Sequence, residues 1–304
     1  MDSELLCLTE DDAGNRLDKV LSSYFNGSYS RTYFQYLLDQ GLILLNGESV
    51  KKRTKVQAGD EVEIRFIATP EMCLTPEPIP LNILYEDEYL LAINKPAGMV
   101  THPAPGHYTG TFVHGLLFHC KELEAGDSLR PGIVHRLDKE TSGVLLAAKS
   151  LVVQQKLVAL FSQREVYKEY LAICLGIPPS GEVNAPIGRH PVNRKAMAVV
   201  SSGRPAISFI QTVRSHDNLS LIKIILKTGR THQIRVHLKH LGFPILGDSL
   251  YGTQTLNRKY NCERQLLHAR CLRFNHPITG QLVDLEAALP QDMSSFLSRF
   301  SLGN

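Results

Sequence analysis

The feature that most constrains this chain is a proline-rich segment, IATPEMCLTPEPIP, at residues 67–80. Its prolines stand at positions 70, 76, 78 and 80. Proline lacks the backbone N–H and restrains the residue before it to extended conformations, so a regular helix cannot run through the segment. We therefore predict a proline-rich linker over residues 68–80, which separates a small domain (13–67) from a larger one (81–304). Two domains also suit a length of 304 residues.

The small domain has the pattern of two helices followed by strands. The segment RLDKVLSSYF has apolar residues at helical spacing, and RTYFQYLLDQ is a second helical segment that stops at Gly41. LILLNGESV follows, with Asn46-Gly47 as a tight hairpin turn, and KVQAGDEVEIRF ends in an alternating strand.

Strands dominate the larger domain. Residues 151–163 and 230–242 have helical spacing, whereas five other segments have the composition of strands: YLLAINKP, VLLAAK, VYKEYLAICLG, AISFIQTV and LSLIKIILK. Many strands with a few interspersed helices predict an α+β fold with a mixed or antiparallel sheet.

The composition is that of a soluble globular protein, with 43% hydrophobic and 21% charged residues. No apolar run approaches the roughly 18–20 residues that a membrane span needs, and the acidic N-terminus lacks a signal pattern. We expect a cytoplasmic protein. The six cysteines have no paired spacing, which argues against a disulfide framework and a structural zinc site.

The basic residues are concentrated in one part of the chain. Residues 183–247 contain ten Lys and Arg residues and a single acid, Asp217. Such segregation can form a positive face for a polyanion, although basic stretches are also common on solvated surfaces.

Histidines in RTHQIRVHLKH suggest a metal site at first sight. However, His232 and His237 are five residues apart, about 140° around a helix, so they do not share a face as ligands four residues apart would. We therefore predict no metal site. The dinucleotide, P-loop and zinc-protease motifs are also missing from the sequence.

The segment HRLDKETSG, residues 135–143, places Asp138 between Arg136 and Lys139 in front of an apolar strand. A cationic partner would keep Asp138 ionised as a nucleophile or base, and a turn with solvated charges is the alternative. Tyr170 alternates with Lys168 on a predicted strand, as a packed strand residue or a stacking platform for a base. Arg235 lies in an apolar helical context and needs a carboxylate partner, for which Asp138 is one candidate.

These segments together resemble the RluA family of pseudouridine synthases. HRLDKETSG with the following VLLAAK is similar to the family's signature, and four further segments follow the family order: INKPAGMVTHPAPGHYTGTFVHGLL, REVYKEYLAICLG, KTGRTHQIRVHLKHLGFPILGDSLYG and QLLHARCLRFNHPITG. The N-terminal part resembles an S4 RNA-binding domain. This combination is similar to the RluC/RluD subgroup, which acts on large-subunit (23S) ribosomal RNA, and KPAGMVTHPAPG favours the D type.

The resemblance implies a catalytic domain with a mixed, largely antiparallel sheet and an RNA cleft. By position, Asp138 matches the catalytic aspartate, Tyr170 the tyrosine that stacks on the target base, and Arg235 the partner of the aspartate. We expect RNA contacts from one set of basic residues: Arg31, Lys51, Lys52, Arg53, Lys55, Arg136, Lys168 and Arg230.

The implied reaction isomerises uridine to pseudouridine without a cofactor, on a uridine turned out of its stack. Asp138 could attack C1′, attack C6 of the base or remove the 2′ proton, and the sequence leaves these routes open. We expect a monomer whose partner is ribosomal RNA and not a membrane. Two other functions remain as alternatives: an RNA-binding protein without catalysis, and a metal-assisted nucleic-acid hydrolase.

Overall fold

The computed structural model describes residues 3–25, 29, 31–67, 74–104, 107–123 and 130–302. The chain forms two compact units, which divide between Leu74 and Thr75. Residues 68–73 of the predicted linker lie outside the described residues. Within the described ranges, no helix combines the length and apolar character that a bilayer crossing requires.

The first unit consists of two helices and a four-stranded sheet. Its elements are β1 (Ser3–Cys7), α1 (Leu17–Tyr24), α2 (Arg31–Asp39), β2 (Ile43–Leu45), β3 (Glu48–Ser49) and β4 (Glu61–Arg65). The strand order is β1-β4-β2-β3. The predicted hairpin is present: Asn46 and Gly47, at φ 52° and 79°, connect β2 to β3 as a tight turn with two left-handed residues requires.

Residues before position 13 also belong to the fold of the first unit. β1 pairs antiparallel with β4, from Ser3 opposite Arg65 to Cys7 opposite Glu61. Leu6 and Leu8 are buried in the same core as the apolar residues of α1 and α2. The predicted start at residue 13 therefore leaves out one strand, which is short and has only Leu6 buried, so it shows no alternating apolar pattern in the sequence.

The second unit contains the remaining strands and helices. They are β5 (Ile83–Glu86), β6 (Leu90–Lys95), α3 (Phe112–His119), β7 (Ser142–Ala148), α4 (Leu151–Gln163), β8 (Tyr167–Leu175), β9 (Gly181–Asn184), β10 (Ile187–Arg189), β11 (Met197–Val199), β12 (Ile207–His216), β13 (Leu219–Leu226), α5 (Gln233–His240), α6 (Gln254–Lys259), β14 (Leu267–Asn275), β15 (Leu282–Glu286) and α7 (Gln291–Arg299).

A nine-stranded sheet forms the centre of this unit. Its order is β5-β6-β7-β14-β8-β13-β12-β9, with β15 beside β14. The pair of β7 and β14 is parallel and the other pairs are antiparallel. This arrangement confirms the predicted α+β fold with a mixed, largely antiparallel sheet.

Two helices on one face of the sheet position the site. α4 spans the predicted residues 151–163, since the Ser150 hydroxyl accepts from the Val153 N–H at 3.4 Å and Arg164 ends the helix in a left-handed conformation. α5 is shorter than the predicted 230–242. The Gln233 side chain accepts from the Arg230 N–H at 2.9 Å, so residues 230–232 form a turn before the helix begins.

The second half of the predicted linker packs on the second unit. The Glu77 N–H donates to the carbonyl of His114 at 3.1 Å, and the Glu77 carboxylate accepts from the Gly110 N–H at 3.0 Å. Residues 75–80 are therefore anchored beside α3, although they form no helix or strand.

Candidate active site

A cleft of about 550 Å³ opens on the face of the sheet that carries α4 and α5. That volume is within the range of small-ligand sites in proteins. The segment before β7, the start of β8 and the start of α5 all line it. Six of the residues selected from the sequence meet there: Asp138, Tyr170, Arg235, Arg136, Lys168 and Arg230.

A close approach of two strands fixes the position of Asp138. The Asp138 carbonyl accepts from the Thr141 N–H at 3.0 Å, which closes a turn at the start of β7. Gly143 then adopts φ 113°, and a Cβ there would lie 2.1 Å from the carbonyl oxygen of Ala269 in β14. Glycine is required because a side chain would push the two strands apart.

Arg235 forms an ion pair with Asp138 across 97 residues of sequence. Its Nη1 atom donates to Asp138 Oδ2 at 2.9 Å, and the arginine is only 6% exposed. The two cations beside Asp138 in the sequence do not form an ion pair with it. Lys139 Nζ lies 3.4 Å from His107 Nε2, and Arg136 forms no ion pair within the described part of the chain. Arg235 is therefore the cation that pairs with Asp138, across the sequence and not from beside it.

A second carboxylate, Asp248, holds the other edge of the same guanidinium. Arg235 Nε and Nη2 donate to its two oxygens at 2.7 and 3.0 Å, and the Asp248 side chain is fully buried. Burial opposes the charge of Arg235, but the hydrogen bond and the charge of Asp248 raise its pKa overall. No signal in the sequence assigned this role to Asp248, although its segment, GDSLYG, lies within one of the motifs that resemble the family.

His232 is a further residue of the site. In the sequence it suggested only a metal ligand. It has a left-handed backbone, φ 57°, immediately before α5. Its Nδ1 lies 2.8 Å from the Tyr251 hydroxyl, and its Nε2 lies 3.9 Å from Asp138 Oδ2. Burial lowers its pKa despite the charge of Asp138, so the ring beside Asp138 is neutral at physiological pH.

His237 does not join His232 in a common site. It is fully buried, and its ring nitrogens lie 2.9 Å from the Ser208 hydroxyl and 3.0 Å from the Ala185 carbonyl. Elsewhere among the described residues, Glu86, His119 and Cys120 place possible metal-ligand atoms close to one another. However, Glu86 Oε1 already forms an ion pair with the Lys149 ammonium, at 2.6 Å.

Tyr170 and Lys168 lie two residues apart on β8 and both line the cleft. Burial and then the charge of Asp138 raise the pKa of Tyr170, so its hydroxyl stays protonated. Lys168 is only 7% exposed, and burial lowers its pKa to about 8. A neutral aromatic ring and a buried cation therefore stand side by side near Asp138.

Three side chains, of which Lys95 and Thr101 are buried, hold the loop that carries Asp138. Lys95 Nζ donates to the carbonyls of Pro96, Met99 and Lys139 at 2.8, 2.9 and 3.1 Å. The Thr101 hydroxyl donates to the Leu137 carbonyl at 3.3 Å. His135 Nε2 accepts from the backbone N–H of Leu146 at 2.9 Å, and burial lowers its pKa to about 3. The loop is thus fastened before and after Asp138.

The other predicted RNA contacts belong to the first unit. Lys51, Arg53 and Lys55 are exposed, whereas Lys52 pairs with Asp39 at 3.0 Å. Arg31 is held by the buried Asp18, with Nε 2.9 Å from its Oδ2. Burial alone would raise the pKa of Asp18, but hydrogen bonds from Arg31 and Arg16 lower it to about 2. Arg31 therefore also has a structural role.

Comparison with known proteins gives consistent matches over nearly the whole chain. A family model described as RNA pseudouridylate synthase matches residues 89–240, and an S4 domain model matches residues 15–62. An uncharacterised RNA pseudouridine synthase of Bacillus subtilis is 41% identical over 292 residues, which cover 95% of each chain. The ribosomal large subunit pseudouridine synthase D of Zymomonas mobilis is 40% identical and covers 100% of this chain and 99% of its own.

A second relative and a solved structure agree with these matches. The ribosomal large subunit pseudouridine synthase D of Xanthomonas campestris is 40% identical over 94% of this chain and 89% of its own. The solved structure of human RNA pseudouridylate synthase domain containing 4 superimposes with a TM-score of 0.58, at 29% identity, over 72% of this chain and 93% of its own.

Proposed function

The chain belongs to the RNA pseudouridylate synthase family and contains an S4 domain, and on that premise we propose that it converts specific uridines of large-subunit ribosomal RNA to pseudouridine, with Asp138 as the catalytic carboxylate. The RNA class follows the names of the relatives at 40% identity. The observation that carries the site assignment is the ion pair of Asp138 and Arg235 in a cleft that Tyr170 also lines.

The arrangement suits an isomerisation within one bound nucleotide. The N1–C1′ bond breaks, the uracil turns in the site, and C5 joins C1′. One proton leaves C5 and one is gained at N1, so the atoms of the nucleotide balance without a second substrate. Asp138 Oδ2 accepts from Arg235, while Oδ1 accepts no hydrogen bond within the described residues and can face the substrate. Attack at C1′, attack at C6 and removal of the 2′ proton all use this oxygen.

Each of the other groups has a role that its position supports. Tyr170 supplies a ring on which a uracil turned out of its stack can lie. Arg235, fixed by Asp248, holds Asp138 in position and can stabilise negative charge that develops beside it during the reaction. Lys51, Arg53 and Lys55 of the first unit supply phosphate contacts that give affinity and register but no sequence readout. We further propose that the protein acts as a monomer in the cytoplasm.

Mapping of pseudouridines tests this function directly. Ribosomal RNA from cells with and without the protein is compared at each uridine. We expect one or a few large-subunit positions to lose pseudouridine when the protein is absent and to regain it with the wild-type chain, but not with Asp138→Asn. An unchanged map would contradict the proposal and favour an RNA-binding role without catalysis.

A further inference from the structure

Seven cations line the cleft without a matching number of acids. Besides Arg136 and Arg235 they are Arg164, Lys168, Arg204, Lys227 and Arg230, and these five together are called the five-cation cluster below. None of them forms an ion pair with a residue that the structure describes. Asp138 is the one acidic residue among those described that line the cleft, and Arg235 already pairs with it.

The members of the cluster lie close enough to repel one another. After burial, the charges of Lys227 and Arg164 lower the pKa of Lys168. The charges of Arg204 and Arg164 likewise act on Arg230, whose pKa burial lowers first. Like charges at short range destabilise a fold unless an anion is bound among them. The cluster therefore points to an anionic ligand in this part of the cleft.

Lys168 is the buried member of the cluster, and its ammonium group has N–H donors that no described residue accepts. Its Nζ donates to the carbonyl of Val166 at 3.1 Å, the one hydrogen bond that the ammonium makes to a described residue. An ammonium carries three N–H donors. The nitrogen also lies 5.8 Å from the centre of the Phe161 ring, a cation–π contact that offsets part of the cost of burying the charge. A ligand oxygen that accepts from Lys168 would remove part of this cost.

The strand geometry relates Lys168 to the base platform. Side chains two residues apart on a strand point to the same face, about 6.7 Å apart along it. Lys168 and Tyr170 both line the cleft, whereas Tyr167 and Glu169 line a different groove with Lys223 of β13. The spacing is comparable to that between the base and the phosphate of a single nucleotide. One strand can therefore contact both parts of the same nucleotide.

We propose that the five-cation cluster is a binding site for a phosphodiester group of the nucleotide whose base lies on Tyr170, with Lys168 as its buried donor. This inference rests on the proposed function and specifies how the target nucleotide is held. A phosphate at this site neutralises the cluster, satisfies Lys168 and keeps the ribose near Asp138 while the uracil is detached and turns. The exposed members Arg164, Arg204 and Lys227 give the phosphate an entry from solvent.

RNA with a single neutral linkage tests the site. A ribosomal RNA fragment that contains the mapped uridine is made with a methylphosphonate at the 5′ or the 3′ phosphate of that uridine. We expect one of these linkages to reduce both affinity and turnover of the wild-type protein by roughly 10- to 100-fold. Lys168→Met should lose a similar factor on unmodified RNA and should no longer distinguish the two RNAs. Lys168→Arg should keep the distinction.

Lys223→Met is the matched control, because Lys223 lies on the same sheet and faces the other groove. It should retain the wild-type penalty for the methylphosphonate. If Lys168→Met does not fold, Arg204→Met with Lys227→Met replaces it, and this double variant should show a reduced penalty. An undiminished penalty in a folded Lys168→Met, or no penalty at either linkage in the wild type, would overturn the phosphate site alone. A chain that converts no uridine would overturn the site together with the proposed function.

Discussion

Asp138 and Asp248 share one guanidinium but lie in different surroundings. Asp248 is fully buried and also accepts the backbone N–H groups of Leu250 and Tyr251, each at 2.9 Å. Its side chain therefore cannot turn toward a substrate, whereas that of Asp138 is 20% exposed to the cleft. At the scale of single residues, one acid fixes the arginine and the other is available for chemistry.

The first prediction concerns Asp138→Asn. The amide is almost isosteric with the carboxylate but supplies neither a negative charge nor a basic oxygen. We expect pseudouridine formation to fall below detection, while the affinity for the RNA fragment changes by less than a factor of about three. Turnover is followed by pseudouridine mapping and affinity by equilibrium binding. Substantial turnover by the variant would rule out the assigned role.

The second prediction concerns Asp248→Asn. Removing one partner of a buried ion pair costs about 3 kcal/mol of folding free energy and frees the guanidinium to reorient. We expect turnover to drop by roughly 10- to 100-fold with little change in RNA affinity. Asp292→Asn is the control, because Asp292 pairs with Arg264 through the same two-bond geometry but is 46% exposed. Equal turnover in the two variants would contradict a positioning role for Asp248.

At the scale of elements, backbone carbonyls of the loop after β6 accept hydrogen bonds from Lys95, the last residue of that strand. Lys95 is fully buried, and its three carbonyl partners match the three donors of an ammonium. Burial nevertheless lowers its pKa to about 7, against the raising effect of the charges of Glu140 and Asp138. The protonation of this residue is therefore linked to the stability of the loop that carries Asp138.

A pH dependence of stability follows from Lys95. Between pH 7 and 10.5 the unfolded chain holds more protons at this residue than the folded chain, so its contribution to the free energy of unfolding rises with pH across that window. The slope of one such group is at most about 1.4 kcal/mol per pH unit. Denaturant unfolding at several pH values measures it. We expect Lys95→Met to have a smaller slope than the wild type, and parallel curves would contradict the prediction.

The elements that the sequence predicted well have local signals. α4 is bounded by a capping serine and a left-handed residue, and the β2–β3 hairpin has its Asn-Gly turn. β14 was missed although it lies inside the sheet, because His268, Arg270 and Arg273 interrupt its apolar pattern. His268 is nonetheless fully buried, with ring nitrogens near the Ser142 hydroxyl and the Ala287 carbonyl.

The site was less predictable from the sequence than these elements, because its residues come from distant segments. No spacing rule connects Asp138 with Arg235. The apolar helical context of Arg235 made Asp138 one candidate partner, and the resemblance of separate motifs to one family selected it. Asp248 could have been found by asking which buried carboxylate an internal arginine requires. His232 could have been found by asking which partner a residue with a left-handed backbone requires. Lys168 was selected as an RNA contact without a prediction of its burial, and the structure shows it only 7% exposed, on the face of β8 that lines the cleft.

At the scale of the whole molecule, cations of both units are proposed to contact RNA. The fourth prediction is that the triple variant Lys51→Ala, Arg53→Ala, Lys55→Ala binds the RNA fragment more weakly and with a shallower dependence on salt. Each lost phosphate contact lowers the slope of log affinity against log salt by about 0.7–0.9. A loss of about 2 to 3 in the slope is expected from binding measured at several salt concentrations.

The control is a second triple variant that changes the net charge of the protein by the same amount. Lys121, Arg258 and Lys259 are exposed residues of the second unit that do not line the cleft. Their replacement by alanine should leave the slope near that of the wild type. If both triple variants lose the same slope, the effect reflects net charge and contradicts a specific contact by residues 51–55.

The position of β14 has a consequence for how the enzyme is made. β7 and β8 follow one another along the chain, but β14, residues Leu267–Asn275, lies between them in the sheet. During synthesis the Asp138 turn and the Tyr170 strand, which ends at Leu175, are thus completed well before β14, the strand that joins them, begins at Leu267. Such long-range pairing slows folding, and the unfilled gap exposes two strand edges in the meantime. We therefore expect the nascent chain to become active only after β14 has left the ribosome that makes it.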